Sequence, residues 1–351
     1  MAYTTIDNPE LYFQTKLYTG NATDDTAITL DGSENMQPDL IWTKERSQAG
    51  NHNLFDSVRG ISKRLRTETN AAEGTLDPVN QIKSFDSDGF TLGTNNGSNE
   101  NSVTFVSWNW KAGTSFSNDA SSTSIGDIDS SGSVSQISGF SICSYSGSGS
   151  SGDTIKHGLS TAPKIIIIKK RSASDNWTML NTNIDLNTHL HLNTTDSAVS
   201  DPMFTNTAPT TSVFTVDSDG QVNESGHTFI AYCFSEVKGY SKLGLYKGNG
   251  NADGTFVYTG FKPAWVLMKA TTAGEHWNLH DNKRDPINVC DAGLKTNESN
   301  QEEDADRLDF VSNGFKHRSS SGGYNSSNTF IYMAFAEAPF VNSNGVPVNA
   351  R

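Results

Sequence analysis

The chain has 351 residues, with 26 Lys and Arg set against 39 Asp and Glu, a formal net charge of −13. That surplus of negative charge excludes nucleic acid and anionic membrane as favoured partners, because both select basic surfaces. No run of 18 or more apolar residues is present, so no membrane-spanning helix is expected, and Met1-Ala2-Tyr3-Thr4-Thr5 lacks the basic and apolar regions of a signal peptide.

Ser, Thr, Asn and Gly are abundant, and 18 Phe sit in short β-prone runs between them. Such a composition predicts an all-β protein. Cys143, Cys233 and Cys290 make an odd count with no Cys-x-x-Cys. They are expected as buried free thiols, with a Cys143–Cys233 bridge left open.

An internal repeat organises the chain. Pro38-Asp39-Leu40-Ile41-Trp42-Thr43-Lys44, Pro163-Lys164-Ile165-Ile166-Ile167-Ile168-Lys169 and Pro263-Ala264-Trp265-Val266-Leu267-Met268-Lys269 are each a proline, a short apolar run and a lysine. A proline at strand entry is tolerated because no ladder donor is needed there. The Ile165–Ile168 run does not alternate, which predicts a strand covered on both faces. The recurring lysine is expected where the strand emerges at a surface, paired with an acid.

In chain order, each copy opens on a strand ending in Tyr-x-Gly: Tyr18-Thr19-Gly20, Tyr145-Ser146-Gly147 and Tyr246-Lys247-Gly248. The glycine is expected to supply the positive φ of a turn. The proline-led strand follows, and twelve residues past its lysine come Asp56, Asn181 and Asp281. Asp56 is followed by Arg59 and Asp281 by Arg284, whereas copy two has Asn181 and Ile184. A variable polar segment comes next and is the expected seat of copy-specific binding. Asp88-Gly89, Asp219-Gly220 and Asn313-Gly314 predict a tight hairpin in every copy. An aromatic-rich strand closes each: Thr104–Trp110, Thr228–Phe234 and Thr329–Phe335.

The expected architecture is three tandem antiparallel β-sandwich modules of jelly-roll or concanavalin-like type, spanning residues 1–113, 139–238 and 239–340. Residues 114–138, rich in Ser and Gly, are expected as a linker and 341–351 as a polar tail. The five-residue junction from Ser235 to Gly239 should pack modules two and three rigidly.

Candidate sites are few. Asp56 with Arg59 and Asp281 with Arg284 either read a sugar or carboxylate bidentately or form an internal ion pair that fixes a turn. Trp277, Trp177 and Trp42 either stack on sugar rings or fill a core. Asp86-x-Asp88-Gly89, Asp217-x-Asp219-Gly220 and Asp127-x-Asp129 have half the carboxylates of a calcium loop, without the glutamate of an EF-hand. His189-x-His191 and the pair His276 and His280 lack a nearby third ligand. No Gly-x-Ser-x-Gly elbow is present. No cofactor, resident metal or catalytic residue is expected, and the chain is not expected to be an enzyme.

Several stretches resemble a repeated domain of virion, tail-fibre-like proteins of marine tailed bacteriophages. These are Met1–Asn21, Leu54-Phe55-Asp56-Ser57-Val58-Arg59-Gly60, Phe85–Gly93 and Val106-Ser107-Trp108-Asn109-Trp110-Lys111-Ala112-Gly113. The likeness is strongest over residues 1–113 and reaches copies two and three through the degenerate repeat. It implies a concanavalin or laminin-G type sandwich with a structural role, often in host attachment, and supplies no catalytic residues. The expected protein is therefore a tail fibre or tail-attached module that recognises host-surface glycan. It would be made in the host cytoplasm, built into the virion against tail or capsid subunits, and homo-oligomeric, with a trimer as first expectation. A capsid decoration or head fibre, and a stand-alone lectin or polysaccharide depolymerase, are the alternatives.

Overall fold

The computed structural model describes residues 3–75 and 80–348. Met1-Ala2 of the opening stretch and residues 349–351 of the predicted tail lie outside the described residues. Its regular structure is nearly all strand, in antiparallel sheets, with a few one-turn helices and long irregular connections.

The repeat read from the proline-led runs is a repeat of topology. In copy one, the strands Phe13–Thr19, Thr104–Trp110, Leu40–Glu45 and Asn53–Asp56 lie side by side in that order. Copy two places Phe140–Ser146, Thr228–Phe234, Ile165–Lys170 and Trp177–Asn181 in the same order. Copy three repeats it with Ser241–Lys247, Thr329–Pro339, Phe261–Ala270 and Asn278–Asp281. The closing strand thus sits between the opening and proline-led strands, and its register fixes Trp110, Phe234 and Phe335 as equivalent.

Both faces of each four-stranded sheet are covered. Because side chains alternate along a strand, Leu40 and Trp42, Ile165 and Ile167, and Trp265 and Leu267 point to one side, where they join a single core common to all three copies. Ile41, Ile166 and Ile168, and Val266 and Met268 point the other way, into a separate cluster belonging to each copy. Double coverage explains why the Ile165–Ile168 run does not alternate, as expected. Aromatic rings cross between copies in the shared core. Trp110 meets Trp265 edge to face at 5.6 Å, and Phe13 stacks on Phe335 at 5.2 Å.

Three expectations are corrected. Residues 114–138 are no linker. Thr114–Asn118 pairs with Ser130–Ser135, which pairs over six residues with the opening strand of copy two, so this segment widens that sheet by two strands. Its Ser and Gly residues leave few apolar anchors: Ile128 and Val134 are buried in the cluster of copy two and Phe116 packs against it, and the ladder holds the rest. The Asp219-Gly220 pair makes no hairpin. Asp219 caps the one-turn helix Gly220–Asn223, accepting from the Gln221 amide at 2.7 Å. Copies one and three do turn tightly, at Ser87-Asp88 and Ser312-Asn313.

The Tyr-x-Gly glycines, finally, do not have positive φ. A Cβ on Gly20, Gly147 or Gly248 would lie 2.2, 2.3 or 1.9 Å from the carbonyl oxygens of Glu100, Glu224 and Ser326. Close approach of two backbones demands glycine here. The preceding tyrosine explains the approach: Tyr18, Tyr145 and Tyr246 donate through the hydroxyl to Ser98, Val222 and Tyr324 carbonyls at 2.9, 2.6 and 2.6 Å. Each tyrosine thereby pins the one-turn helix of its own copy.

Candidate functional site

The recurring polar residues lie where the copies meet. Each copy reaches its neighbour in the same cyclic sense, at three levels along the proline-led strand. At the far level the lysine Nζ donates to a neighbour's carbonyl: Lys44 to Ser299 at 3.5 Å, Lys169 to Asn70 at 3.4 Å and Lys269 to Thr195 at 3.2 Å. All three lysines are buried, contrary to the expected surface position. Each also donates to the carbonyl of the residue after it or its own loop, at Glu45, Lys170 and Ala270. Burial pushes their ammonium groups down to about 8, against partial support from nearby acids.

At the middle level Trp177, Trp277 and, in their place in copy one, His52 reach the neighbouring copy. Trp177 Nε1 donates to the Arg66 carbonyl at 2.8 Å and Trp277 Nε1 to the His191 carbonyl at 2.9 Å. Trp42 Nε1 donates to His52 Nδ1 at 2.9 Å. That acceptor role places the His52 proton on Nε2, which reaches the Lys295 carbonyl at 3.0 Å. The sugar-stacking reading of Trp277, Trp177 and Trp42 is thus replaced by the core reading, since all three are buried.

At the near level stand Asp56, Arg59, Asp281 and Arg284, and their side chains are fully buried. Arg59 Nε meets Asp56 Oδ2 at 2.5 Å and its Nη1 meets Glu73 at 3.1 Å. Glu73 in turn binds Arg171 of copy two at 2.9 Å, and the Tyr232 hydroxyl of copy two donates to Asp56 at 2.7 Å. The junction between copies three and one repeats this network: Arg284 with Asp281 at 2.6 Å and Glu302 at 3.0 Å, Glu302 with Arg46 at 2.8 Å, and Trp108 Nε1 donating to Asp281 at 2.9 Å. Burial works against the charge of both guanidiniums, but Asp56 and Glu73, and Asp281 and Glu302, outweigh it and hold them above the usual range. Of the two readings of these residues, the internal ion pair is the arrangement found. None of the four offers a face to a dissolved ligand.

Between copies two and three every member of the network is different. Asn181, Ile184, Ala198, Thr271 and Met333 stand where the other junctions have acid, arginine, glutamate, arginine and an aromatic donor. Ile184 and Ala198 pack on the common core. Asn181 Nδ2 has no partner.

The remaining candidates are spent on the backbone or on each other. Asp88 accepts from the Met36 amide at 3.2 Å, Asp127 from the Thr154 amide at 2.9 Å, and Asp129 from the Ala120 amide at 2.8 Å. Asp86 holds Thr91 at 2.7 Å, and Asp217 accepts from the Ser218 amide at 2.6 Å. His189 and His191 face each other through Nε2 at 3.2 Å, and His280 meets the Tyr324 hydroxyl at 3.2 Å. Among the described residues no three His, Cys, Asp or Glu side chains converge as a metal site. The three cysteines are free and buried.

An open site does exist in the variable segment of copy three. A groove of about 620 Å³ is lined by Lys262, Asn282, Asp285, Ile287, Asn288 and Glu337, among others. Lys262 and Glu337 pair at 2.6 Å, and Asn282 donates to Glu337 at 2.7 Å. Asn288 exchanges two hydrogen bonds with the Phe310 backbone, at 2.8 and 2.9 Å, imitating a strand neighbour. That arrangement holds Ile287 outward, 79% exposed. Burial, and then the Asp291 carboxyl, raise Asp285 to about 6. An exposed aliphatic side chain beside paired acid, amide and ammonium groups suits a hydroxyl-rich ligand with an apolar face. Asp285 to Asn288 come from the variable segment, whereas Lys262, Asn282 and Glu337 flank the repeated strands and were not singled out for binding.

An all-β chain of three like sheets, closed around one core by a cyclic set of contacts, is the class that this geometry defines. The chain belongs to the family described as Domain of unknown function (DUF7483), whose profile matches residues 8–339. That match runs through all three copies and both connections, so the family unit is the closed set rather than one copy. No curated protein and no solved structure matches the chain.

Proposed function

We propose that the protein is a structural component of a tailed-bacteriophage virion: three concanavalin-like β-sandwich modules locked into one rigid body that carries a host-surface recognition site on the tail. One observation carries this reading. The polar residues that recur at the junctions are consumed inside them, so the repeat is a scaffold, while a groove of about 620 Å³ opens beside a segment that differs between copies. A glycan is the ligand class that the groove around Ile287 fits, and no step of covalent chemistry is assigned to it. Capsid decoration is the second reading, favoured by the three-part ring itself, which suits a symmetric surface.

Immunogold labelling of purified particles with antibody against this chain tests both. Label on the tail is expected; label on capsid faces moves the protein to decoration, and unlabelled particles sink the virion reading. Recognition is tested separately by glycan-array binding of the isolated chain, where Ile287→Asp should abolish a signal that the wild type gives.

A further inference from the structure

Just outside the acid of each proline-led sheet, the same positions face one another across every junction, and at two junctions the protein's own groups meet there. Between copies one and two stands Asp39, accepting from the Ser57 hydroxyl at 2.6 Å and the Ala112 amide at 2.8 Å. Ser133 of the strand Ser130–Ser135 closes over it, its hydroxyl 3.4 Å from the Asp39 carboxylate. Between copies two and three, Glu236 lies between Lys164 at 2.9 Å and Lys242 at 2.7 Å. There the Asn183 side-chain amide also crosses the junction, donating to the Leu243 carbonyl at 3.1 Å.

Between copies three and one the place is open. Ala264 stands where the others have Asp39 and Lys164, and Lys283 where copy two has Asn183. Glu337 pairs instead with Lys262 at 2.6 Å, and Lys283 reaches Asp31 at 3.6 Å. What remains is a pocket of about 40 Å³, with Phe13, Thr15, Ala264 and Ala336 among its lining. It shares Asn282 and Glu337 with the groove around Ile287, and so forms a side chamber of that groove.

Thr15 is the residue that packing does not explain. Strand register makes it the equivalent of Ile142 and Leu243, which the other copies bury in the common core. It is 4% exposed, and its hydroxyl has no partner. A buried hydroxyl left unpaired is destabilising, so its place in the lining of an open chamber points to a partner that arrives from outside.

We infer that this chamber takes the acetamido group of an N-acetylated sugar whose ring lies in the groove. A water needs about 10–15 Å³, so the chamber has room for about three non-hydrogen atoms, the number in an acetyl group, and none for a second ring. Phe13, Ala264 and Ala336 suit the methyl, and the Thr15 hydroxyl supplies a donor for the acetyl oxygen. The Thr15 carbonyl holds the register position of the Leu243 carbonyl, which already accepts an amide N–H from Asn183. The sugar's amide thus brings from a ligand what Asn183 brings from the chain. This inference rests on the glycan reading of the groove.

The test is a glycan array probed with the full chain, on which N-acetylated oligosaccharides stand beside hydroxyl counterparts of the same linkage. The N-acetylated members should bind about tenfold more tightly or better. Thr15→Val removes only the hydroxyl and should weaken them about three- to tenfold, leaving the hydroxyl counterparts unchanged. Thr15→Leu, which copies Leu243, should fill the chamber and abolish the preference with no fall in melting temperature. Ile287→Asp should weaken both sets. Equal binding of the two sets, or a preference that neither Thr15 variant alters, overturns the inference and leaves the glycan reading standing. An array blank for the folded chain overturns both.

Discussion

Two kinds of junction close the same ring. Between copies one and two, and between three and one, an acid, an arginine, a glutamate, a second arginine and an aromatic donor form one buried network. Between copies two and three, all five positions have changed together, to Asn181, Ile184, Ala198, Thr271 and Met333. Changing one alone would strand charge: a buried ion pair roughly breaks even as a whole, but removing one partner leaves the other uncompensated. Concerted replacement is the step that avoids this, and it teaches that the five residues form one unit. The loss falls at the junction whose copies are joined by the short Ser235–Gly239 connection.

The sharpest way to break the contrast is to make the exchange in pieces. Arg59→Met leaves Asp56 and Glu73 buried without their shared cation, and should cost about 3–5 kcal/mol in denaturant unfolding. Arg59→Ile in its place, combined with Asp56→Asn, Glu73→Ala, Arg171→Thr and Tyr232→Met, copies the apolar junction and should return most of that stability. If the five-fold variant is no better than Arg59→Met, the unit does not exist. A control should be blind to junction type: Trp177→Ala and Trp277→Ala each empty the common core and remove a cross-copy indole bond, one at an ionic junction and one at the apolar one. Both should cost about 3–5 kcal/mol. Costs that differ widely would mean that the apolar junction relaxes into its cavities.

Smaller but more specific is Tyr232→Phe. It deletes only the hydroxyl that reaches Asp56 across the junction at 2.7 Å. Bonds to a charged acceptor contribute about 1.5–3 kcal/mol, and Arg59 still holds the carboxylate, so the lower part of that range is expected. In the background of the five-fold exchange, where Tyr232 is already Met, no further bond is there to lose. A double-mutant cycle between Tyr232→Phe and Asp56→Asn should therefore return a coupling close to the single-mutant cost, whereas additive losses would show that the two act apart.

What could be read in the sequence, and what could not, follows the same physics. Spacing that recurs, Pro to Lys to Asp or Asn, was legible because topology preserves it. Asp56, Arg59, Asp281 and Arg284 stood out for that reason, yet their partners Tyr232, Trp108, Arg171 and Arg46 belong to other copies and are more than 90 residues away or precede them by hundreds. A faint signal was present: Arg66-Thr67 with Glu73, and Lys295-Thr296 with Glu302, share one spacing inside a segment taken as variable. The strands at 114–135 were illegible since only Phe116, Ile128 and Val134 among their Ser- and Gly-rich residues pack on the core, and the ladder supplies the rest. The groove around Ile287 was invisible in detail because its Asp285–Asn288 stretch has no counterpart in the other copies.

The lysines give the smallest expected effect and the cleanest test that burial is alike at all three junctions. Lys44, Lys169 and Lys269 are each pushed from 10.5 down to about 8, chiefly by burial, whichever junction they cross. Between those values the unfolded chain holds a proton that the folded chain has released, so stability should rise with pH from 8 toward 10.5 and be lost as pH falls through 8. From pH 7 to 8 the three together should contribute about 1 kcal/mol, read as a rising unfolding midpoint. Replacing each lysine singly with Met should flatten one third of that slope, equally for the ionic and the apolar junctions. An effect confined to Lys269, which crosses from copy three to copy two, would show that the missing network had left that end of the junction drier than the others.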